Sequence, residues 1–300
     1  MAGKATFSAK ADYSKTELQN LILKSMSDNN MFDGMFAETE AGGQLDKDKK
    51  IDCFIGRDRV QVKMDYRSMV NNTTAVEFAQ LDLETQNYRH GHFMKPPKAG
   101  GVSERELIDN VDYIYYILPG FGVSIWEPAK LSRFVFHLMR SMPLDIDPQL
   151  LHFDGVPLKG KNAFKIAVAA NKEGDDNLWS SLNYLVPNEY MMQEDGIPLG
   201  QWSIEKYKDE ETGVWYDQPV FYPELDDVDE NIYIKPEKVI KWDDVLYALR
   251  IGDDFSRICE LIAEHIYNYK YGKRKAFIIA ENFDINTEFL KLYDWSSHKD

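Results

Sequence analysis

The pattern of hydrophobic and polar positions predicts a helix followed by strands in the first part of the chain. Residues 12–27 place apolar side chains at helical spacing, and Ser14 followed three residues later by Glu17 has the form of a capping box at a helix start. Residues 73–82 open with β-branched and aromatic positions, which favour a strand. Between them, residues 50–65 alternate apolar and polar positions, the pattern of two half-buried strands.

The turn sets the register of the hairpin within residues 50–65. Gly56-Arg57 forms a two-residue loop, and a glycine in its first position suits a type II′ turn because that position has a positive φ. Asp52 then lies opposite Gln61 and diagonal to Lys63. One face of the hairpin carries Asp52, Phe54, Arg59, Gln61, Lys63 and Asp65. This face either meets solvent, as in many antiparallel sheets, or holds a cation between an acidic group and an amide oxygen.

Further elements follow the third strand. Glycine and proline make residues 89–101 a loop, and Ser103 caps a short helix. Residues 111–120 form a buried strand, and residues 127–142 form a helix with Pro128 near its first turn. The order of these elements predicts a domain that mixes helices with a sheet.

The character of the chain changes after this helix. Residues 150–225 are rich in turn residues, residues 224–231 form an acidic connector, and the tail from Trp242 is mostly helical. We therefore predict two domains: an α/β domain over residues 1–145 and an acidic accessory domain over residues 146–300 that ends in helices.

Composition narrows the classes of function. The chain has 300 residues, of which 44% are hydrophobic and 13% aromatic, enough to bury a sizeable core. Its formal net charge is −15, divided as −3 over residues 1–150 and −12 over residues 151–300. This balance excludes a basic protein that coats DNA nonspecifically. The acidic second half favours docking on a protein partner, association with a second copy or imitation of DNA.

The sequence also predicts a compartment. No apolar run reaches the roughly 18 residues of a membrane helix, and the polar N-terminus lacks the apolar segment of a signal peptide. Cys53 and Cys259 are the two cysteines, and their spacing fits neither a zinc site nor a disulfide scaffold. We therefore expect a cytoplasmic protein with no membrane partner.

The hairpin motif resembles a known family. Asp52, eight residues, then Gln61-Val62-Lys63 is similar to the core of the PD-(D/E)XK nuclease superfamily, where an Asp begins one strand and Glu/Gln-x-Lys lies on the next. The order of elements over residues 12–142 is similar as well. Gln61 stands where an acidic residue is usual, a variant that the superfamily tolerates, and Ile51 stands in place of the proline. The resemblance implies an α/β fold, in which a mixed sheet flanked by helices forms a restriction-endonuclease-like core, with an appended loop-rich and helical C-terminal region.

The resemblance also implies hydrolysis of phosphodiester bonds in DNA with the help of a metal. Asp52, the side-chain oxygen of Gln61 and the carbonyl of Val62 are the implied ligands of Mg²⁺ or Mn²⁺, which prefer oxygen. Lys63 is the implied group that orients or deprotonates the attacking water, or stabilises charge in the transition state. Glu17 on the first helix is the candidate acid that completes the site. The alternatives to it are Glu38, Glu40 and Glu77.

Two further clusters have two interpretations each. One cluster interleaves tyrosines with Lys270, Lys273, Arg274 and Lys275. It suits either a single nucleic-acid strand or the cationic C-terminus of a helix. His90 and His92 form either a metal pair or part of a solvated loop rich in glycine and proline.

The function itself has alternatives. The first is a non-catalytic acidic inhibitor, an anti-defence protein in which a degenerate nuclease-like scaffold imitates DNA or docks on a partner. The other is a component of an assembly.

Overall fold

The computed structural model describes residues 5–40, 43, 45, 51–65, 72–82, 88–90, 110–141, 152–153, 156–157, 163–169, 179–198, 200–223, 233–271 and 278–279. The helices in this part of the chain are α1 (Ala5–Asp28), α2 (Pro128–Ser141), α3 (Asn188–Met191), α4 (Trp242–Ile251) and α5 (Phe255–Tyr271). The strands are β1 (Phe36–Glu38), β2 (Cys53–Ile55), β3 (Asp58–Met64), β4 (Thr73–Asp82), β5 (Tyr88–His90), β6 (Tyr113–Leu118), β7 (Gly122–Trp126), β8 (His152–Phe153), β9 (Val156–Pro157), β10 (Ile166–Ala169), β11 (Trp179–Pro187), β12 (Ile197–Pro198), β13 (Gly200–Lys208), β14 (Trp215–Pro223), β15 (Tyr233–Ile234), β16 (Lys238–Lys241) and β17 (Ile278–Ile279).

The chain forms two compact units, each assembled from separate segments. The first unit takes Met1–Val70, Glu104–Glu127 and Glu237–Arg274, and the second takes Asn71–Ser103, Pro128–Pro236 and Lys275–Asp300. The chain therefore enters and leaves each unit more than once, which differs from the single division near residue 145 that we predicted. A change in composition along the chain does not reveal such crossings, because each unit joins segments that are distant in sequence.

A six-stranded sheet forms the framework of the first unit, in the order β1-β2-β3-β6-β7-β16. Neighbouring strands are antiparallel except β3 and β6, which are parallel. The parallel pair places Gln61 beside Ile114 and Lys63 beside Tyr116. A mixed sheet combined with helices confirms the predicted α/β class at this level.

The core of the first unit lies between one face of this sheet and the helices α1, α4 and α5. The alternation in the hairpin predicted which of its residues are buried there, and the structure agrees: Cys53, Ile55, Val60, Val62 and Met64. The helices contribute Leu18, Ile22, Leu23, Met26, Val245, Leu249, Ile258 and Leu261. Each large apolar side chain buried in this way stabilises the fold by about 1.5–3 kcal/mol.

The second unit has a five-stranded antiparallel sheet in the order β17-β10-β11-β4-β5. β4 pairs with β11 along its whole length, with one register shift at Leu182/Asn183. Phe78 of β4 and Leu182 of β11 are fully buried. Three further strand pairs are two-stranded: β8 with β9, β12 with β15, and β13 with β14.

Several predicted elements have the expected type. β4 spans the predicted residues 73–82, α2 begins at Pro128, and β6 lies within the predicted strand at residues 111–120. The predicted short helix after Ser103 and the acidic connector at residues 224–231 lie outside the described residues.

Three expectations differ from the structure. α1 begins at Ala5, so Ser14 lies inside the helix and does not cap it. Three alanines in residues 5–11 favour the helical conformation, and this preference outweighs the single capping signal at Ser14. β4 is a strand, but it belongs to the second unit and does not extend the hairpin. Residues 150–225 contain β8 to β14, including two strands of nine residues each in the pair of β13 and β14, so this stretch is less loop-rich than we predicted.

Candidate functional site

The hairpin of β2 and β3 has the predicted turn and register. Gly56 has φ of +63°, as the first position of a type II′ turn requires, and Arg57 is not among the residues with positive φ. Cys53 pairs with Val60, and Ile55 pairs with Asp58. Local turn chemistry therefore determines which side chains share a face at the site.

Asp52 lies where the regular ladder of the hairpin ends. Its N–H donates to the Val60 carbonyl at 2.9 Å. Val60 is already the partner of Cys53, whereas a regular register would place Asp52 opposite Gln61. The Val62 N–H donates to the Asp52 carboxylate at 2.7 Å. The Asp52 carbonyl accepts a hydrogen bond from the Thr39 hydroxyl at 2.6 Å. The Asp52 carboxylate thus takes the place of a main-chain carbonyl as the acceptor for the Val62 N–H of β3. The hydrogen bonds from Val62 and Thr39 together hold Asp52 in position.

Gln61 adds a second contact to the same carboxylate. Its Nε2 donates to Asp52 Oδ2 at 2.5 Å and lies 3.5 Å from the Val62 carbonyl. Two acceptors around this atom identify it as the amide nitrogen. Gln61 is only 6% exposed, so this face does not simply meet solvent.

The other end of the Gln61 amide carries the most unusual feature of the site. Among the residues that the structure describes, no hydrogen-bond donor reaches the buried oxygen Oε1. A buried amide oxygen without a donor costs roughly 1–3 kcal/mol. Such an atom therefore requires an explanation, for which a water molecule, an ion or a ligand group would serve.

Lys63 lies on the same face as Gln61, two residues further along β3, and is half-buried. In the parallel register it lies beside Tyr116 of β6, which is 4% exposed. At the other end of the strand, Arg59 donates two side-chain hydrogen bonds to Asp112, at 3.0 and 2.7 Å. These bonds lower the pKa of the Asp112 carboxyl group and join β3 to the start of β6.

The helix α1 brings a different residue to the site from the one that we predicted. Arg257 of α5 holds Glu17 through two hydrogen bonds, at 2.9 and 3.0 Å, and the hydrogen bond from Arg257 lowers the pKa of Glu17. Gln19 instead donates from Nε2 to the Val62 carbonyl at 3.4 Å. A sequence signal for Gln19 existed, because it is a polar residue at helical spacing from the buried Ile22 and Leu23.

The alternative acids lie in other environments. Glu38 of β1 accepts a hydrogen bond from Asn20 Nδ2 at 2.6 Å, and Glu40 is exposed. Glu77 lies on β4 in the second unit and accepts a hydrogen bond from the Ser181 hydroxyl at 2.7 Å. The structure therefore brings Asp52, Gln61, Val62 and Lys63 together on one hairpin, whereas Glu17 contacts Arg257 and Glu38 contacts Asn20.

The remaining candidates are only partly described. Lys270 lies in the last turn of α5, while Lys273, Arg274 and Lys275 lie outside the described residues. His90 ends β5, where it pairs with Ala79 in a strand rather than in the predicted loop, and His92 lies outside the described residues.

The described part of the chain lacks two further features. It contains no group of three or more His, Cys, Asp or Glu side chains arranged to hold a metal ion. Within the same residues, no helix is both long enough and apolar enough to cross a membrane.

Comparisons with known proteins add no relative. No family model, no curated protein and no solved structure matches the chain.

Proposed function

We propose that the protein is a metal-dependent nuclease that hydrolyses phosphodiester bonds in DNA, and that the first unit is a restriction-endonuclease-like core. The observation that carries this proposal is the buried Gln61 Oε1, which lacks a donor among the described residues and belongs to the side chain that contacts Asp52. Lys63 lies two residues away on the same face.

The residues present fit Mg²⁺ or Mn²⁺. The Asp52 carboxylate, the Gln61 amide oxygen and the Val62 carbonyl are hard oxygen donors, which suit these ions. Among the described residues, the amides of Gln19 and Gln61 approach the Val62 carbonyl at the long distances of 3.4 and 3.5 Å.

The protein residues have distinct roles in this proposal. At such a site, Mg²⁺ supplies polarisation of the phosphate and acidification of water. Thr39 and the Val62 N–H hold Asp52 in place, so little reorganisation is required when charge develops. Lys63 orients or deprotonates the attacking water, or balances charge on the phosphate oxygens, from a half-buried position where its charge acts more strongly than in bulk water.

Two substitutions test the proposal. Asp52→Asn keeps an oxygen at the position of Oδ2, which accepts both the Val62 N–H and Gln61 Nε2, so the fold is expected to persist without the negative charge. Lys63→Ala removes the ammonium group. We expect cleavage of duplex, single-stranded and supercoiled DNA with Mg²⁺ or Mn²⁺ to fall about 100-fold or more in each variant, as for the loss of one transition-state contact.

Glu17→Gln is the matched control, since it removes an acid that the resemblance suggested but that Arg257 holds in an ion pair. It is expected to leave cleavage within a few-fold of the wild type. Unchanged cleavage in both Asp52→Asn and Lys63→Ala would refute the site. A wild-type protein that binds a basic partner and cleaves no nucleic acid with either metal would instead support the acidic inhibitor.

A further inference from the structure

Lys63 has one regular cross-strand neighbour among the described strands. β2 pairs with β3 only as far as Val60, whereas β6 pairs with β3 from Val60 to Met64. In that parallel register, Lys63 lies directly beside Tyr116. Neighbouring strands are about 4.8 Å apart, so the side chains of a registered pair that share a face stand next to each other.

The burial pattern shows that Lys63 and Tyr116 share a face. The preceding pair, Val62 with Tyr115, belongs to the core between the sheet and the helices. Because side chains alternate along a strand, Lys63 and Tyr116 both point to the opposite face of the sheet. Gln61 lies on this face as well, two residues before Lys63. Tyr116 therefore stands beside the proposed site.

The hydroxyl of Tyr116 is the polar group that β6 contributes to this face. The other β6 residues on the face, Ile114 and Leu118, are aliphatic and fully buried. A phenolic hydroxyl both donates and accepts hydrogen bonds, whereas an ammonium group has three donors and no acceptor. Lys63 is half-buried, so its donors require protein acceptors where water is excluded. The Tyr116 oxygen is such an acceptor, on the adjacent strand.

Packing holds the Tyr116 ring in place. The side chain is 4% exposed, and its partner on β7 is the fully buried Ser124. The Ser124 hydroxyl accepts a hydrogen bond at 3.1 Å from Nε1 of Trp126, which is also fully buried. A ring in such a close-packed layer has few alternative positions. The stem of Lys63 has four carbons and many rotamers, so a fixed hydroxyl beside it restricts where the ammonium group lies.

We propose that Tyr116 is a positioning residue, whose hydroxyl accepts a hydrogen bond from the Lys63 ammonium group and holds that group at the proposed site. This inference rests on the proposed function, because it assigns Tyr116 a role that is exerted through Lys63. An ammonium group that is already in place requires no reorganisation when charge develops in the transition state.

A conservative substitution tests this role. Tyr116→Phe removes the hydroxyl and keeps the buried ring, so the fold is expected to persist. We expect kcat for DNA cleavage with Mg²⁺ to fall about 10-fold or more and KM to change less than about 3-fold, because the lost hydrogen bond to a charged group acts in the transition state. Tyr115→Phe is the matched control, since Tyr115 is the preceding residue of β6, is also 4% exposed and lies on the core face. It is expected to leave both constants unchanged.

A double substitution separates positioning from a general effect on the fold. If Tyr116 acts through Lys63, then Tyr116→Phe is expected to change kcat of the Lys63→Ala variant by less than about twofold, because residues that act as a unit are not additive. An equal loss of kcat in the wild-type and Lys63→Ala backgrounds would mean that the hydroxyl supports only the fold, and it would overturn the inference.

A measurement without DNA or metal tests the contact itself. The mobility of Lys63 is read from NMR relaxation of its labelled Cε, whose signal is assigned by its absence in Lys63→Ala. The order parameter is expected to fall in Tyr116→Phe and to stay unchanged in Tyr115→Phe. An unchanged order parameter in Tyr116→Phe overturns the inference. Loss of cleavage in Lys63→Ala with full cleavage in Tyr116→Phe overturns the inference alone, whereas a wild type that cleaves no DNA overturns the proposed function together with it.

Discussion

Replacing Gln61 by glutamate places a second carboxyl group against Asp52 in a buried position. In the wild type, Gln61 Nε2 lies 2.5 Å from Asp52 Oδ2, and the side chain is 6% exposed. Two carboxylates this close do not both ionise, so one of them retains a proton. Without a metal, Gln61→Glu is therefore expected to destabilise the fold in a pH-dependent way.

The structure bounds the size of this effect. At pH 7, a proton held on a carboxyl group costs about 4 kcal/mol, because each pH unit above the ordinary glutamate pKa of about 4.3 costs about 1.4 kcal/mol. This proton cost is the upper limit, because the protonated carboxyl group donates to Asp52 in place of the amide; without the proton, the lost hydrogen bond to a charged acceptor costs about 1.5–3 kcal/mol. We therefore expect Gln61→Glu to lower the free energy of unfolding by about 2–4 kcal/mol at pH 7.

The sign of the pH dependence follows from the raised pKa in the folded variant. Below the pKa of the unfolded chain, about 4.3, both states are protonated and the penalty is absent. As the pH rises, the unfolded chain loses the proton that the folded variant keeps, so the penalty grows by about 1.4 kcal/mol per unit until the folded pKa is reached.

A metal reverses this destabilisation if the proposed site exists. The two carboxylates would then bind Mg²⁺ in place of the proton, and a ligand at 100 times its Kd stabilises the folded state by about 2.7 kcal/mol. The assay is urea unfolding at pH 7, with a chelator or with increasing Mg²⁺. Gln61→Met is the control, since it removes the amide and adds no charge. Equal stability of Gln61→Glu and the wild type in chelator, or a Mg²⁺ effect on Gln61→Glu no larger than on Gln61→Met, would refute the reasoning.

Two further predictions concern the same unit. Gly34→Ala places a Cβ 2.6 Å from the Gly56 Cα, a backbone clash, whereas Gly56→Ala meets its nearest atom at 3.3 Å and costs about 1–2 kcal/mol through its positive φ. Urea unfolding is expected to find Gly34→Ala the more destabilised variant, and the reverse order would contradict the packing of these two turns. Burial raises the pKa of the Cys53 thiol to about 12, and Cys259 is exposed, so a thiol reagent is expected to label one cysteine in the folded protein and two in urea. Rapid labelling of both in the folded state would contradict the burial of Cys53.

The sequence predicted well those features that depend on neighbours along the chain. Gly56 determines the turn, the turn determines the register, and the period of two in a strand then assigns Asp52 and Gln61 to their common environment. The bounds of β4 were predicted as well, because β-branched and aromatic residues favour a strand wherever it pairs. The start of α1 was not predicted correctly. A capping signal such as that at Ser14 contributes only about 1 kcal/mol, so residues before it that favour a helix can extend the helix past it.

Partners distant along the chain were not predictable in the same way. β4 pairs with β11, about 100 residues later, and no local pattern identifies that partner. The choice between Glu17 and Gln19 depends on how α1 is rotated about its axis, which packing against the sheet decides.

The sequence by itself thus determined β4, the hairpin register and the set of Asp52, Gln61 and Lys63, because turn geometry and side-chain alternation act over a few residues. Only the tertiary structure decided that Gln61 is buried, that its amide nitrogen rather than its oxygen contacts Asp52, and that Gln19 reaches the Val62 carbonyl. These outcomes depend on which groups are excluded from water together, and that is a property of packing between distant segments.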